Sequence, residues 1–238
     1  MELRRNAGRV AGAWYLLLIV LGPLRLIYIP SKLFLRGDAA GTINNITSHE
    51  QLFRVGMASD LVCSVILIFL TLAFYRMFKG VGRYSAVLVV ILGGVMPATI
   101  GFVSVGTDAT ALSVAHGADF LSVFNRPQRD ALAMVFLHMR DQENTAAEML
   151  WGLWLLPLAG LVWRSRFMPR FLGVWLALNG VAYVIVSFTG LLLPQYQDMT
   201  FAISAPARLG ELAIALWLLI MGANQTRIAD DGLAVASA

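Results

Sequence analysis

The chain has 238 residues, 58% of them hydrophobic and 13% charged, with a formal net charge of +4 and a pI near 9.6. Soluble domains carry about 25% charged residues, so this composition excludes an ordinary water-soluble globule. The basic balance does not imply a nucleic-acid partner, because the Lys and Arg residues flank apolar runs instead of forming one basic face.

The apolar residues gather in runs of about 20, the length an α-helix needs to cross roughly 30 Å of hydrocarbon. That length excludes the short alternating strands of a membrane β-barrel. The expected fold is therefore all-α, an integral membrane bundle of six transmembrane helices. The first run, residues 10–29, follows Arg4, Arg5 and Arg9 and so imitates a secretory signal peptide. Arg25 and Pro30 interrupt the place where a cleavage site would sit, no A-x-A follows closely, and five more runs come after, so a retained helix is expected. The second run covers 53–75 and the third 84–104.

Residues 105–145 are too long and too patterned for a bare loop. Leu112, Phe120, Leu121 and Phe124 precede Asn125-Arg126-Pro127, which reads as a turn with proline opening a helix. Ala131, Leu132, Val135, Phe136 and Met139 then recur at helical spacing, with Arg129, Asp130, His138 and Asp141 on other faces. The expectation is an amphipathic helical hairpin on the outer side, into which helix three could run directly. The fourth run is 146–163, the fifth 171–193 and the sixth 202–221. Residues 1–224 read as one transmembrane domain, and 225–238 as a polar, disordered cytoplasmic tail.

Lys and Arg are retained on the cytoplasmic side of short loops. Arg4, Arg5 and Arg9, then Arg76, Lys79 and Arg83, then Arg164, Arg166 and Arg170, then Arg227 all fall on one side, while 194–200 holds none. Lys32 and Arg36 weaken the contrast without reversing it, so both termini are expected inside. Trp14, Tyr15, Trp163 and Trp175 then lie toward the inner ends, as an aromatic belt would. Gly93, Gly94 and Gly101 around Pro97 read as close helix packing, and Cys63, the one cysteine, as a buried small hydrophobe.

An ionisable side chain inside a membrane span is costly and marks a candidate site. The runs contain Arg25, Arg54, Asp60, Glu148, Arg208 and Glu211. Given the topology, all six fall in the outer half, which suggests a polar pocket opening outward. Asn179, Tyr183 and Ser187 repeat every four residues and form a stripe that could join it. The competing reading is structural: Arg208 and Glu211 could pair with each other, Arg25 and Arg54 could snorkel, and Asp60 could be the buried partner of either arginine. The candidate ligand-binding residues are thus Arg25, Arg54, Asp60, Arg208, Glu211, Asn179 and Tyr183, with no catalytic residue assigned. His49, His116 and His138 lie outside the runs, and no H-E-x-x-H, G-x-S-x-G or P-loop is present. No cofactor or metal is expected.

Ala7-Gly8-Arg9-Val10-Ala11-Gly12, Leu52-Phe53-Arg54, Trp151-Gly152-Leu153-Trp154-Leu155-Leu156-Pro157, the block Arg164-Ser165-Arg166-Phe167-Met168-Pro169-Arg170-Phe171-Leu172-Gly173 and Gly210-Glu211-Leu212 carry a resemblance over nearly the whole chain. The sequence resembles the bacterial membrane family catalogued as domain of unknown function 4386. The resemblance implies a multi-pass protein of the bacterial cytoplasmic membrane and brings no reaction with it. Beyond the bilayer itself, the partner expected is a lipid or small amphiphile, with the arginines favouring an anionic group. A lipid-modifying enzyme, a small transporter and a purely structural membrane protein remain the alternatives, and the oligomeric state is left open.

Overall fold

The structure, a computed structural model, describes residues 2–222, and the polar tail lies outside the described residues. Six long helices are apolar enough to cross a membrane, and no strand occurs among the described residues. We label them with one short helix in chain order: α1 (Gly8–Leu33), α2 (Ala39–Ser48), α3 (Glu50–Phe78), α4 (Arg83–His116), α5 (Arg126–Arg164), α6 (Arg170–Leu192) and α7 (Pro194–Met221). All six expected runs are present, and most extend further than hydropathy alone indicates.

The largest extensions are in the segment expected as a hairpin. Helix α4 continues to His116, where Gly117 turns the chain at φ 75°, and α5 begins at Arg126. The two arms are thus uninterrupted prolongations of the third and fourth spans, packed along each other. Asn125 opens α5 with a capping box: its Oδ1 accepts from the Gln128 amide at 3.0 Å, and its own amide donates to Gln128 Oε1 at 3.0 Å. The short helix α2 was not legible in the runs. Asp38 caps it by accepting from the Gly41 amide at 2.8 Å, and its Ile43 and Ile46 bury against Leu33, Leu112, Leu121 and Leu137.

Two cores follow. The end that carries Gly8 and Met221, here the terminal end, is filled by Tyr15, Leu70, Phe74, Phe78, Trp154, Leu158, Leu172 and Leu218. The opposite end holds the smaller α2-centred cluster. Around the waist the outward faces stay apolar, as Leu178, Val181, Ile185 and Phe188 of α6 show; each is half exposed or more, a surface that suits hydrocarbon and not water.

Close approach of helices depends on small residues. A Cβ on Gly12 of α1 would lie 2.7 Å from the Leu219 amide of α7, and one on Gly180 of α6 would lie 2.8 Å from the Gly152 carbonyl oxygen of α5. Gly93 lies against the Trp154 indole, Gly94 against Thr71 and Gly101 against Ser64, so this stretch of α4 is a packing surface, as expected. Gly160 has open space at its Cβ. Gly180→Val should therefore lower stability by about 1–3 kcal/mol through overpacking, whereas Gly160→Ala should leave it unchanged or slightly raised. Thermal unfolding of the purified variants in a maltoside detergent checks both.

Candidate functional site

The polar residues inside the bundle sort into two groups joined by one cavity. The first is an ion network. Arg25 of α1 pairs with Asp60 Oδ1 of α3, and Arg140 Nη2 of α5 donates to Asp60 Oδ2 at 3.2 Å. Arg140 Nε lies 3.4 Å from Asp108 Oδ2 of α4, an ion-pair distance without hydrogen-bond alignment. Asp60, Asp108 and Arg140 are all buried. Next to them Glu143 of α5 accepts from Ser104 Oγ at 2.7 Å and Thr107 Oγ1 at 3.1 Å of α4. One network therefore ties α1, α3, α4 and α5 together.

The second group lies nearer the terminal end. Glu211 of α7 accepts from the Tyr15 hydroxyl at 2.8 Å and from Asn179 Nδ2 at 2.9 Å. Tyr15 is buried in the core, so it is not part of an interfacial belt as expected. Its ring packs against Phe74 and Trp154, which places the hydroxyl on the carboxylate. Trp175 Nε1 donates to the Pro206 carbonyl of α7 at 3.2 Å. Tyr183 stands edge-on to Trp151. Ser187 donates to the Thr145 carbonyl at 2.7 Å, which fastens α6 to α5.

Between these groups runs a cavity of about 580 Å³. Its walls are α1 from Tyr15 to Pro30, α5 from His138 to Trp154, and Gln197, Phe201, Arg208 and Glu211 of α7, with Cys63 and Leu67 of α3 behind. From Arg140 to Trp154 the α5 wall is roughly 20 Å long at 1.5 Å per residue. The cavity is long and amphipathic. Arg25, Arg140 and Asp141 stand toward one end, Glu148, Arg208 and Glu211 further in, and Leu18, Ile19, Leu26 and Trp151 lie between. Beyond Tyr15 and Trp154 the packed terminal-end core begins.

The expected site residues are distributed unevenly over this geometry. Arg25, Arg208 and Glu211 line the cavity; Asp60 stands behind Arg25, and Asn179 behind Glu211. Arg54 is not brought to it: it pairs with Glu50 at 2.6 Å one turn away and borders a separate depression with Met57, Leu112 and His116. Arg208 and Glu211 do not pair. The Arg208 guanidinium folds back over the Phe201 ring at 3.6 Å and donates to the Phe201 carbonyl.

Residues 10–222 match the family described as Domain of unknown function (DUF4386). The chain belongs to that family. No curated protein and no solved structure matches it. The match starts two residues before Gly12 and takes in every cavity wall, so network and cavity both lie within the family's own extent.

Removing one member of a buried ion network leaves its partners uncompensated, at a cost of about 3–5 kcal/mol, whereas removing both partners costs much less than the sum. Arg140→Met should therefore destabilise strongly, because it strands Asp108, and Arg140→Met with Asp108→Asn should recover a large part of the loss. A double-mutant cycle read by thermal unfolding checks this; additive effects would mean that the network is not coupled.

Proposed function

We propose that this membrane protein is a binding protein for a small amphiphile held in the α1–α5–α7 cavity, in a bacterial cytoplasmic membrane with the terminal end inside. The supporting observation is the cavity itself: it is long and mixed in character, with charged groups set among aliphatic and aromatic walls. An amphiphile needs such a lining, because its chain gains by leaving polar surroundings and its head must be met by hydrogen bonds or charge. Transport would require a path past Tyr15, Phe74, Trp154 and Leu158, a region filled by the core. Lipid-modifying chemistry is less well supported, since Asp60 is committed to two arginines and Glu211 to two neutral donors.

The cavity can be closed without touching a charge. Gly22 lines it, and a Cβ there meets nothing within 4 Å. Gly22→Phe should fold and unfold like the parent chain while losing the thermal stabilisation that a panel of single-chain amphiphiles gives the wild type. Equal stabilisation of both proteins would remove the cavity as the site.

Orientation has its own test. Ser122 and Gly80 are exposed at opposite ends of the bundle, and the native Cys63 is buried. In whole spheroplasts a membrane-impermeant maleimide should label Ser122→Cys, label Gly80→Cys only after permeabilisation, and leave the parent chain unmodified. The reverse pattern would invert the topology.

A further inference from the structure

The bonding of the charged groups along the cavity assigns a sign to the ligand. At the network end each arginine is compensated: Arg25 by Asp60, and Arg140 by Asp60 and Asp108, with Asp141 Oδ1 a further 3.7 Å from Arg140. The Arg208 guanidinium bonds to the ring and carbonyl of Phe201, and its single charge acts at longer range on both Glu148 and Glu211, so it cannot balance the two. The acidic groups further in are not compensated in the same way. Glu211 takes its hydrogen bonds from two neutral donors, a phenol and an amide, and Glu148 Oε2 is buried with no hydrogen-bond partner. Neither carboxyl makes an ion pair among the described residues.

A carboxyl that lines a cavity and has no ion-pair partner is a natural place for a ligand's N–H group. The surroundings favour a cation further. Tyr15, Trp151 and Trp154 line the same stretch of the cavity, and aromatic faces attract cations by their ring quadrupole. Leu18, Ile19 and Leu26 continue along the α1 wall, on the path an alkyl chain would take.

We propose that the inner part of the cavity takes the ammonium head of a cationic amphiphile, with Glu148 as its hydrogen-bonded counter-ion and the Trp151 and Trp154 rings beside it. This rests on the amphiphile-binding reading and reverses the sign expected from the arginines alone. A primary ammonium presents three N–H donors, enough for the Glu148 carboxylate and for a second acceptor on the cavity wall.

The test uses three probes with one chain length, octylammonium, octyl phosphate and octanol, titrated into wild-type protein in a neutral maltoside detergent. Intrinsic fluorescence of the six tryptophans, Trp151 and Trp154 among them, reports binding, and thermal unfolding reports stabilisation. Octylammonium should give a saturable change and raise the melting temperature. Glu148→Gln should weaken its binding about tenfold or more, as loss of one partner of a buried charged pair does, while Glu148→Asp keeps part of it. Octyl phosphate or octanol binding as tightly, or undiminished octylammonium binding to Glu148→Gln, would overturn the cationic assignment and leave an amphiphile site of another sign. If none of the three binds saturably to folded wild-type protein, the amphiphile-binding reading falls with it. Should Glu148→Gln fail to fold, the octylammonium against octyl phosphate comparison on wild type decides the sign.

Discussion

The Arg140 guanidinium is the interaction on which the far half of the bundle depends. It stands buried between Asp60 of α3 and Asp108 of α4, and Asp60 in turn holds Arg25 of α1. In a low-dielectric interior none of these charges is tolerable alone, and together they satisfy one another. Lipid tails supply no hydrophobic drive for helix association, so a bundle of this kind relies on close packing and on polar bonds between helices. The network supplies the second beside the cavity. The terminal end relies on the first, through Gly12 against Leu219 and Gly152 against Gly180.

This division explains why a cavity can persist. Where glycines bring backbones into contact, the space between helices is filled by Phe74, Phe78, Trp154 and Leu158. Toward the other end α1 changes character: Pro23 removes a backbone donor, and residues Leu24–Tyr28 form a π-turn that reorients the helix before α2. Pro206 interrupts α7 at a comparable distance from its close contact with α1. The α1 stretch faces the cavity, with Arg25 bridging to Asp60 and with Ile29 and Leu33 beyond it buried in the far-end cluster, whereas Pro206 borders a separate depression beside Trp175. The surface pair Arg36–Asp198 at 3.9 Å is nearly fully exposed and adds little.

The architecture was legible in the sequence because length and hydropathy are sufficient to find a span. The extents were not, and the reason is visible in α5. From Arg126 to Thr145 that helix carries Arg129, Asp130, His138, Arg140, Asp141 and Glu143, so a hydropathy reading stops at 146 and assigns the rest to a hairpin. The missing signal was the period. Ala133, Leu137, Arg140 and Ala147 are buried at helical spacing, as are Ser104, Thr107, Asp108 and Ala111 on α4, so each charge occupies a core position in its stripe. The same omission hid half of the network. Hydropathy puts Arg25 and Asp60 within spans and so marks them as possible partners, but it leaves Arg140 and Asp108, which complete the network, outside the spans. Arg54 misled in the opposite direction, since a charge at the first turn of a helix is free to turn outward to Glu50.

Intramembrane charge is usually weighed as either a strut or a site, and here the bonding pattern separates the two. A strut is a charge that the protein pairs with opposite charge, and Asp60, Arg25 and Arg140 meet that description. A site retains capacity that the fold does not use, and Glu148 meets it: the residue lines the cavity and its carboxyl makes no ion pair among the described residues. Both kinds of residue lie along one helix, eight positions apart, a little over two turns. The network that fixes Arg140 therefore also fixes the register of α5 against α3 and α4, and that register sets where Glu148 meets the cavity. Loosening the strut would move the site, so stability at Asp60 and occupancy at Glu148 are linked through the rigidity of a single helix.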